Sequence, residues 1–340
     1  MQAAALASMR LNLALQSAGA GFVQGSHLWG CNLKATRGGT TIFPSGTAYP
    51  APFSSVPTDV RMLAAGIVDG GSDSDILISM AADSPTGNRD ILFTPSGTAP
   101  TMITSSSLGF SPSDLFLIVP QIVPGDVGDC QIVQAASTYT PGAFVSDASL
   151  GARVASASPT TITLDTGTYG DIAAPIKLQS PSAFSLGASP TFSAFTPNSN
   201  GELVERDLLA RRGDQILAEN VFLMKARYGV DDGVGGTAND NIVDEWVSPS
   251  ESGWTIADLM KNDFTVAQKI NQIKAIRLGL VVRSRHTGSS DVNTSSLTLF
   301  SDLPSGRQVN RTLSTDEKRY DYQVYDWVIP LKNMKAVPKG

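Results

Sequence analysis

Histidine and cysteine are nearly absent from this 340-residue chain, with two of each, and charged residues make up only 16% of it. His27 and His286 stand near no nucleophile motif. There is no G-x-S-x-G elbow, H-E-x-x-H pair or P-loop, and Gly233, Gly235 and Gly236 lack dinucleotide-binding spacing. Catalysis is therefore not expected. Nucleic-acid binding is not expected either. The 25 Lys and Arg against 31 Asp and Glu give a net charge of −6, whereas phosphate contacts need a concentrated basic surface. The nearest basic cluster, Arg277, Arg283, Arg285 and His286, reads as a solvated strand edge and loop. No apolar run is long enough to span a membrane as a helix, and no signal peptide with basic, apolar and cleavage regions is visible. Zinc is disfavoured because Cys31 and Cys130 have no close Cys or well-spaced His beside them. The two cysteines read about equally as buried thiols or as a disulfide, the latter implying an oxidising compartment.

What is present is apolar and turn-rich: 41% hydrophobic residues, 31 Gly and 20 Pro. Residues 2–18 read as a helix, with Leu6, Met9 and Leu13 recurring on one face and Arg10, Asn12 and Gln16 supplying polar positions elsewhere. Gly19 and Gly21 stop it. A helix with the apolar Leu6, Met9 and Leu13 face is expected to pack on a sheet or on other helices. From residue 21 to 200, short apolar runs of strand length alternate with Ser, Gly, Pro and Asp clusters, as at 76–80, 90–93, 115–119, 131–133 and 161–164. The paired acids Asp73 and Asp75 read as the end of one such strand. The charge-poor stretch 180–200 reads as a loop or peripheral subdomain. A more charged region follows, with strands at 203–208 and 218–228, helices at 254–261 and 265–272, and a final strand at 320–329. Residues 274–283 form the clearest strand, in which Ala275, Arg277, Gly279 and Val281 alternate with Ile276, Leu278, Leu280 and Val282. Three segments result: 1–22, 23–200 and 201–340.

One constellation suggests a metal. Asp231, Asp232, Asn239, Asp240, Asn241 and Asp244 crowd a glycine-rich loop, and calcium takes six to eight oxygen ligands from flexible loops. The spacing departs from D-x-[DN]-x-[DN]-G. Asp, Asn and Gly are also the residues of an ordinary acidic turn, which is the favoured reading. No other cofactor is expected. Tyr320, Tyr322, Tyr325 and Trp327 read as half-buried sheet residues rather than a sugar platform.

Taken in order, several segments resemble the PilW family of type IV pilus minor pilins. Ala18-Gly19-Ala20-Gly21-Phe22 and Gly30-Cys31-Asn32 resemble the family's helix end and the Gly-Cys that follows. Ser74-Asp75-Ile76-Leu77-Ile78 resembles its first clear strand, and Ser113-Asp114-Leu115-Phe116-Leu117-Ile118 with Asp129-Cys130 its next strand and second cysteine. Tyr228-Gly229-Val230-Asp231, running to Asp244-Glu245-Trp246, resembles its "YG.D....vd.W" block. Arg277-Leu278-Gly279-Leu280-Val281-Val282-Arg283-Ser284 resembles the "RialvvRs" strand, and Pro330-Leu331-Lys332-Asn333 the family's last turn. The resemblance implies a pilin-like α+β fold: an N-terminal α-helix packed on an antiparallel sheet, a large β-rich head and a second sheet region. It implies a Cys31–Cys130 disulfide. It also implies a longer native chain, with a leader and an apolar helical anchor that these residues lack, held in the inner membrane with a periplasmic head before reaching the pilus tip or cell surface. The implied role is non-enzymatic. The protein would join other minor pilins in a tip complex that primes the major pilin and presents a tip adhesin, with Arg10, Asn12 and Gln16 as candidate interface residues. The alternatives are a J-type minor pseudopilin of type II secretion and a surface adhesin or carbohydrate-binding module.

Overall fold

The computed structural model describes residues 2–22, 28–84, 91–95, 101–104, 111–119, 128–137, 144–147, 152–155, 160–163, 182–286 and 295–334. These residues form 21 strands and three α-helices of 16, 4 and 9 residues: α1 (Gln2–Ser17), α2 (Ile256–Leu259) and α3 (Phe264–Gln272). The expected α+β arrangement of one N-terminal helix on one antiparallel sheet is thereby corrected to a mostly β fold. The cause lies in the distribution of apolar residues. They are spread over many short segments whose two faces both need cover, so the chain builds several sheets. The expected antiparallel pairing also fails at one place, where Asn32–Arg37 runs parallel to Asp129–Gln134.

A five-stranded antiparallel sheet takes the order Gln215–Ala218, Leu203–Asp207, Thr191–Pro197, Ile76–Ala81, Ala65–Val68. Its middle strand overturns the loop reading of 180–200. Phe192, Ala194 and Phe195 are buried there, and Ser182–Gly187 is a further strand, inside the eight-stranded sheet. The stretch is charge-poor because its strands have little solvent to face.

The C-terminal sheet has the order Glu245–Val247, Val221–Val230, Ile273–His286, Tyr320–Pro330. Asn220, at φ 61°, turns the chain from Gln215–Ala218 in one sheet to Val221–Val230 in the other. The strand expected over 218–228 is Val221–Val230, and Ala218 ends the strand before it. Ile276, Leu278 and Leu280 face the principal core, while Leu223 and Val281 pack on the opposite face against Leu297, Leu299, Phe300 and Leu313. The principal core draws on Ala7 near the start of the chain, Ile78 in the middle and Met334 near the end.

Candidate assembly surface and acidic loop

Each residue of an α-helix advances about 100° around the axis. Ala7, Leu11, Leu15 and Ala18 thus share one face of α1 and its end, and all are fully buried. Leu6, Met9 and Leu13 share nearly the opposite face and stay 45%, 54% and 54% exposed. Of the two expected partners for that face, a sheet of this chain is therefore not the one it covers. The helix carries two apolar stripes, and the inner one wins because its alanines allow close approach to Ile76–Ala81. Ser79 Oγ donates to the Ala14 carbonyl at 2.8 Å, and the Gly19 N–H donates to the Met80 carbonyl at 2.8 Å. Arg10 and Gln16 are exposed and Asn12 is half-buried, accepting from Gln16 Nε2 at 3.0 Å.

The end of α1 is closed from the far end of the chain. Gly19 takes a positive φ of 75°, and Asn333 Nδ2 donates to the Ala18 carbonyl at 3.0 Å and to those of Gln16 and Ser17 at 3.4 Å. These are carbonyls that a helix C-terminus leaves without intrahelical partners. Leu331 and Met334 on either side of Asn333 are fully buried.

Cys31 and Cys130 form a disulfide with Cα atoms 5.7 Å apart. It sits where the parallel ladder begins, with Asn32 opposite Asp129 and Leu33 opposite Cys130. Tyr228, Gly229 and Asp231 each have a physical task. The Tyr228 hydroxyl accepts the Ile67 N–H at 2.6 Å, and burial pushes its phenol well above the ordinary range. A Cβ on Gly229 would lie 2.8 Å from the Trp246 ring, so only glycine admits that ring. Asp231 is fully buried, and its two oxygens accept the Asp240 and Asn241 N–H groups at 3.3 and 2.8 Å.

Within that loop Asp231, Asp240 and Asp244 bring ligand atoms within 4.8 Å of one another. Asp244 also accepts the Gly233 N–H at 2.6 Å, Asp240 that of Ile242 at 2.8 Å, and Asp232 that of Val234 at 3.0 Å. Asn239 and Asn241 occupy left-handed turn positions at φ 62° and 67°. Among the described residues, no ion pair involves Asp231, Asp240 or Asp244.

His27 lies outside the described residues, and His286 ends the strand Ile273–His286 opposite Tyr320. Of the basic cluster, Arg277 is held by Asp302 at 2.7 and 2.8 Å and by Asp326, bonds that raise its pKa; Arg283 lies over the Tyr320 ring at 4.9 Å. Tyr320, Tyr322, Tyr325 and Trp327 are all half-buried.

The sequence reading missed one buried pair. Asp75, taken for a strand end, is fully buried and bonded to the buried Lys225 ammonium. That ammonium also donates to the Gly71 and Asp73 carbonyls at 3.1 and 3.0 Å. Asp75 further accepts the Gly70 and Ala226 N–H groups, each at 2.9 Å. A signal was available: Lys225 is a cation inside an otherwise largely apolar strand, which it shares with Arg227, and a buried cation requires a partner.

Residues 201–333, less than half of the chain, match the model of the PilW family, described as Type IV Pilus-assembly protein W. That likeness supports involvement in type IV pilus assembly. The Gly-Cys and Ser-Asp-Ile-Leu segments lie outside the matched region. No curated protein and no solved structure matches the chain.

Proposed function

We propose, starting from the likeness of residues 201–333 to the PilW family, that the chain is a non-enzymatic minor pilin that works by docking α1 among the helices of other pilins, in a complex that primes the pilus and sits at its tip. The observation that carries this reading is the outward stripe of Leu6, Met9 and Leu13 on a helix whose other stripe is already buried. Apolar side chains at i, i+3 and i+7 form the anchor pattern of a helix that packs in a groove. Arg10 and Gln16 flank the stripe as polar rim positions. Minor pilins and the major pilin are the partners, and a tip adhesin is a further one.

The test is photo-crosslinking in cells that make the pilus. A photoreactive residue at Leu13 should capture pilins, and one at Asn310, far from the stripe, should not. Equal capture at both positions, or none at Leu13 in piliated cells, overturns the reading.

A second reading, calcium in the acidic loop, is supported by three carboxylates lying within 4.8 Å without a basic partner among the described residues. Calcium would be held by Asp231, Asp240 and Asp244 and would relieve their mutual repulsion.

A further inference from the structure

A polar cleft of about 610 Å³ opens between the loop 70–74, the turn 196–201 and the strands Val221–Val230 and Ile273–His286. Its volume falls in the range of small-molecule sites, about 300–1,000 Å³. The side chains around it divide into two groups.

The first group is already committed and forms a rigid frame. Arg311 pairs with Glu317 at 2.9 Å, Asn198 donates to Glu202 at 2.7 Å, and Thr196 donates to the Asp75 carbonyl at 3.0 Å. The loop 70–74 is fixed by the Lys225 ammonium, which bonds two of its carbonyls. This wall therefore exists before any ligand arrives.

The second group is uncommitted. The Arg283 guanidinium stacks on Tyr320 but has no ion pair or side-chain hydrogen bond among the described residues. The exposed Asp73 carboxylate has no ion pair there, and the exposed hydroxyls of Ser55, Ser72 and Ser199 have no hydrogen-bond partner there. Arg283 and Asp73 line the same cleft without bonding each other, so a ligand can engage both. Gly201, at φ 78°, lies beside Arg283.

We infer that this cleft binds an acidic saccharide, with one sugar carboxylate on Arg283 and sugar hydroxyls on Asp73, Ser55, Ser72 and Ser199. A guanidinium matches a carboxylate through two parallel bonds. Asp73 repels a ligand of dense negative charge, which disfavours a polyphosphate or a nucleic acid. The three free hydroxyls match the alternating donors and acceptors of a sugar ring. The inference goes beyond the assembly reading and does not depend on it.

The experiment is calorimetric titration of the protein with tetragalacturonate, with neutral maltotetraose and with an acidic tetrapeptide. Tetragalacturonate should bind in the millimolar range or tighter, and the other two at least about tenfold more weakly, as expected for loss of a charge-assisted bond or of the hydroxyl pairs. Arg283→Gln should lower tetragalacturonate affinity at least about tenfold. Ser199→Trp, which fills the cleft and leaves Arg283 intact, should abolish binding. Both variants are checked for an unchanged circular dichroism spectrum. Absence of tetragalacturonate binding by the folded protein, equal binding of the neutral sugar or the peptide, or full binding by folded Arg283→Gln overturns the inference.

Discussion

The two stripes of α1 make opposite predictions for substitutions one turn apart. Full burial of a Leu or Met side chain contributes about 1.5–3 kcal/mol. Leu6, Met9 and Leu13 are about half exposed, so covering them in a complex contributes about 1 kcal/mol each, or roughly 3 kcal/mol together. That corresponds to about a 100-fold change in Kd. The triple variant Leu6→Ser, Met9→Ser, Leu13→Ser should therefore bind partner pilins roughly 100-fold more weakly while melting at nearly the wild-type temperature. Leu11→Ala, on the inner stripe, should do the reverse. Leu11 is fully buried, and a buried Leu→Ala change costs about 2–5 kcal/mol, seen as a lowered Tm. Partners captured by crosslinking at Leu13 supply the immobilised ligand for biolayer interferometry, and thermal melts run in parallel. A triple variant that melts several degrees lower, or that binds as tightly as wild type, refutes the assignment of the faces.

Reducing the Cys31–Cys130 disulfide, or replacing both residues with Ser, should cost about 4–5 kcal/mol for a closed loop of 99 residues in the chain-entropy account; an unchanged denaturant midpoint under reducing conditions contradicts this. Lys225→Met leaves the Asp75 carboxylate buried without its cation and should destabilise by about 3–5 kcal/mol. The double variant Asp75→Asn with Lys225→Met should recover part of that loss, and urea melts of the three proteins compare them. Asp258 is held below the usual carboxylate range first by Lys261, then by Thr255 and the Gly253 N–H. A folded pKa below the unfolded one gives stability that is present above the unfolded value, about 3.9, and is lost as pH falls toward the folded value. Asp258→Asn should therefore lower Tm at neutral pH and flatten its decline below about pH 4; parallel Tm–pH curves for the two proteins speak against it. Millimolar calcium should raise Tm in wild type and not in Asp240→Ala, and no rise in wild type removes the calcium reading.

Some of this structure could be read directly. The alternation over 274–283 names the core-facing Ile276, Leu278 and Leu280, and Gly19 marks the end of α1, because local period and φ preference decide both. Other parts were hidden for physical reasons. Two stripes on α1 satisfy the helical period equally, and only the close approach allowed by Ala7 and Ala18 selects the inner one. Thr191–Pro197 lacks the polar alternation of a half-exposed strand because it is buried on both sides, so its Ser and Pro content imitated a loop. Asp75 resembled any turn acid until Lys225, 150 residues later, arrived beside it. Sequence proximity carries no information about such a pair. The acidic loop was visible as a cluster, but which carboxylates converge depends on the turns at Asn239 and Asn241.

The Asn333 amide that closes α1 comes from 315 residues downstream of the carbonyl it serves best. The helix is therefore made first and fastened last. A chain interrupted before residue 331 can still pair many of its strands, yet α1 lacks its latch and the seat filled by Leu331 and Met334. Such a product would keep α1 against Ile76–Ala81 but would leave its end loosely held. Residues 331–334 thus set how firmly α1 is held at the angle it offers to a neighbour.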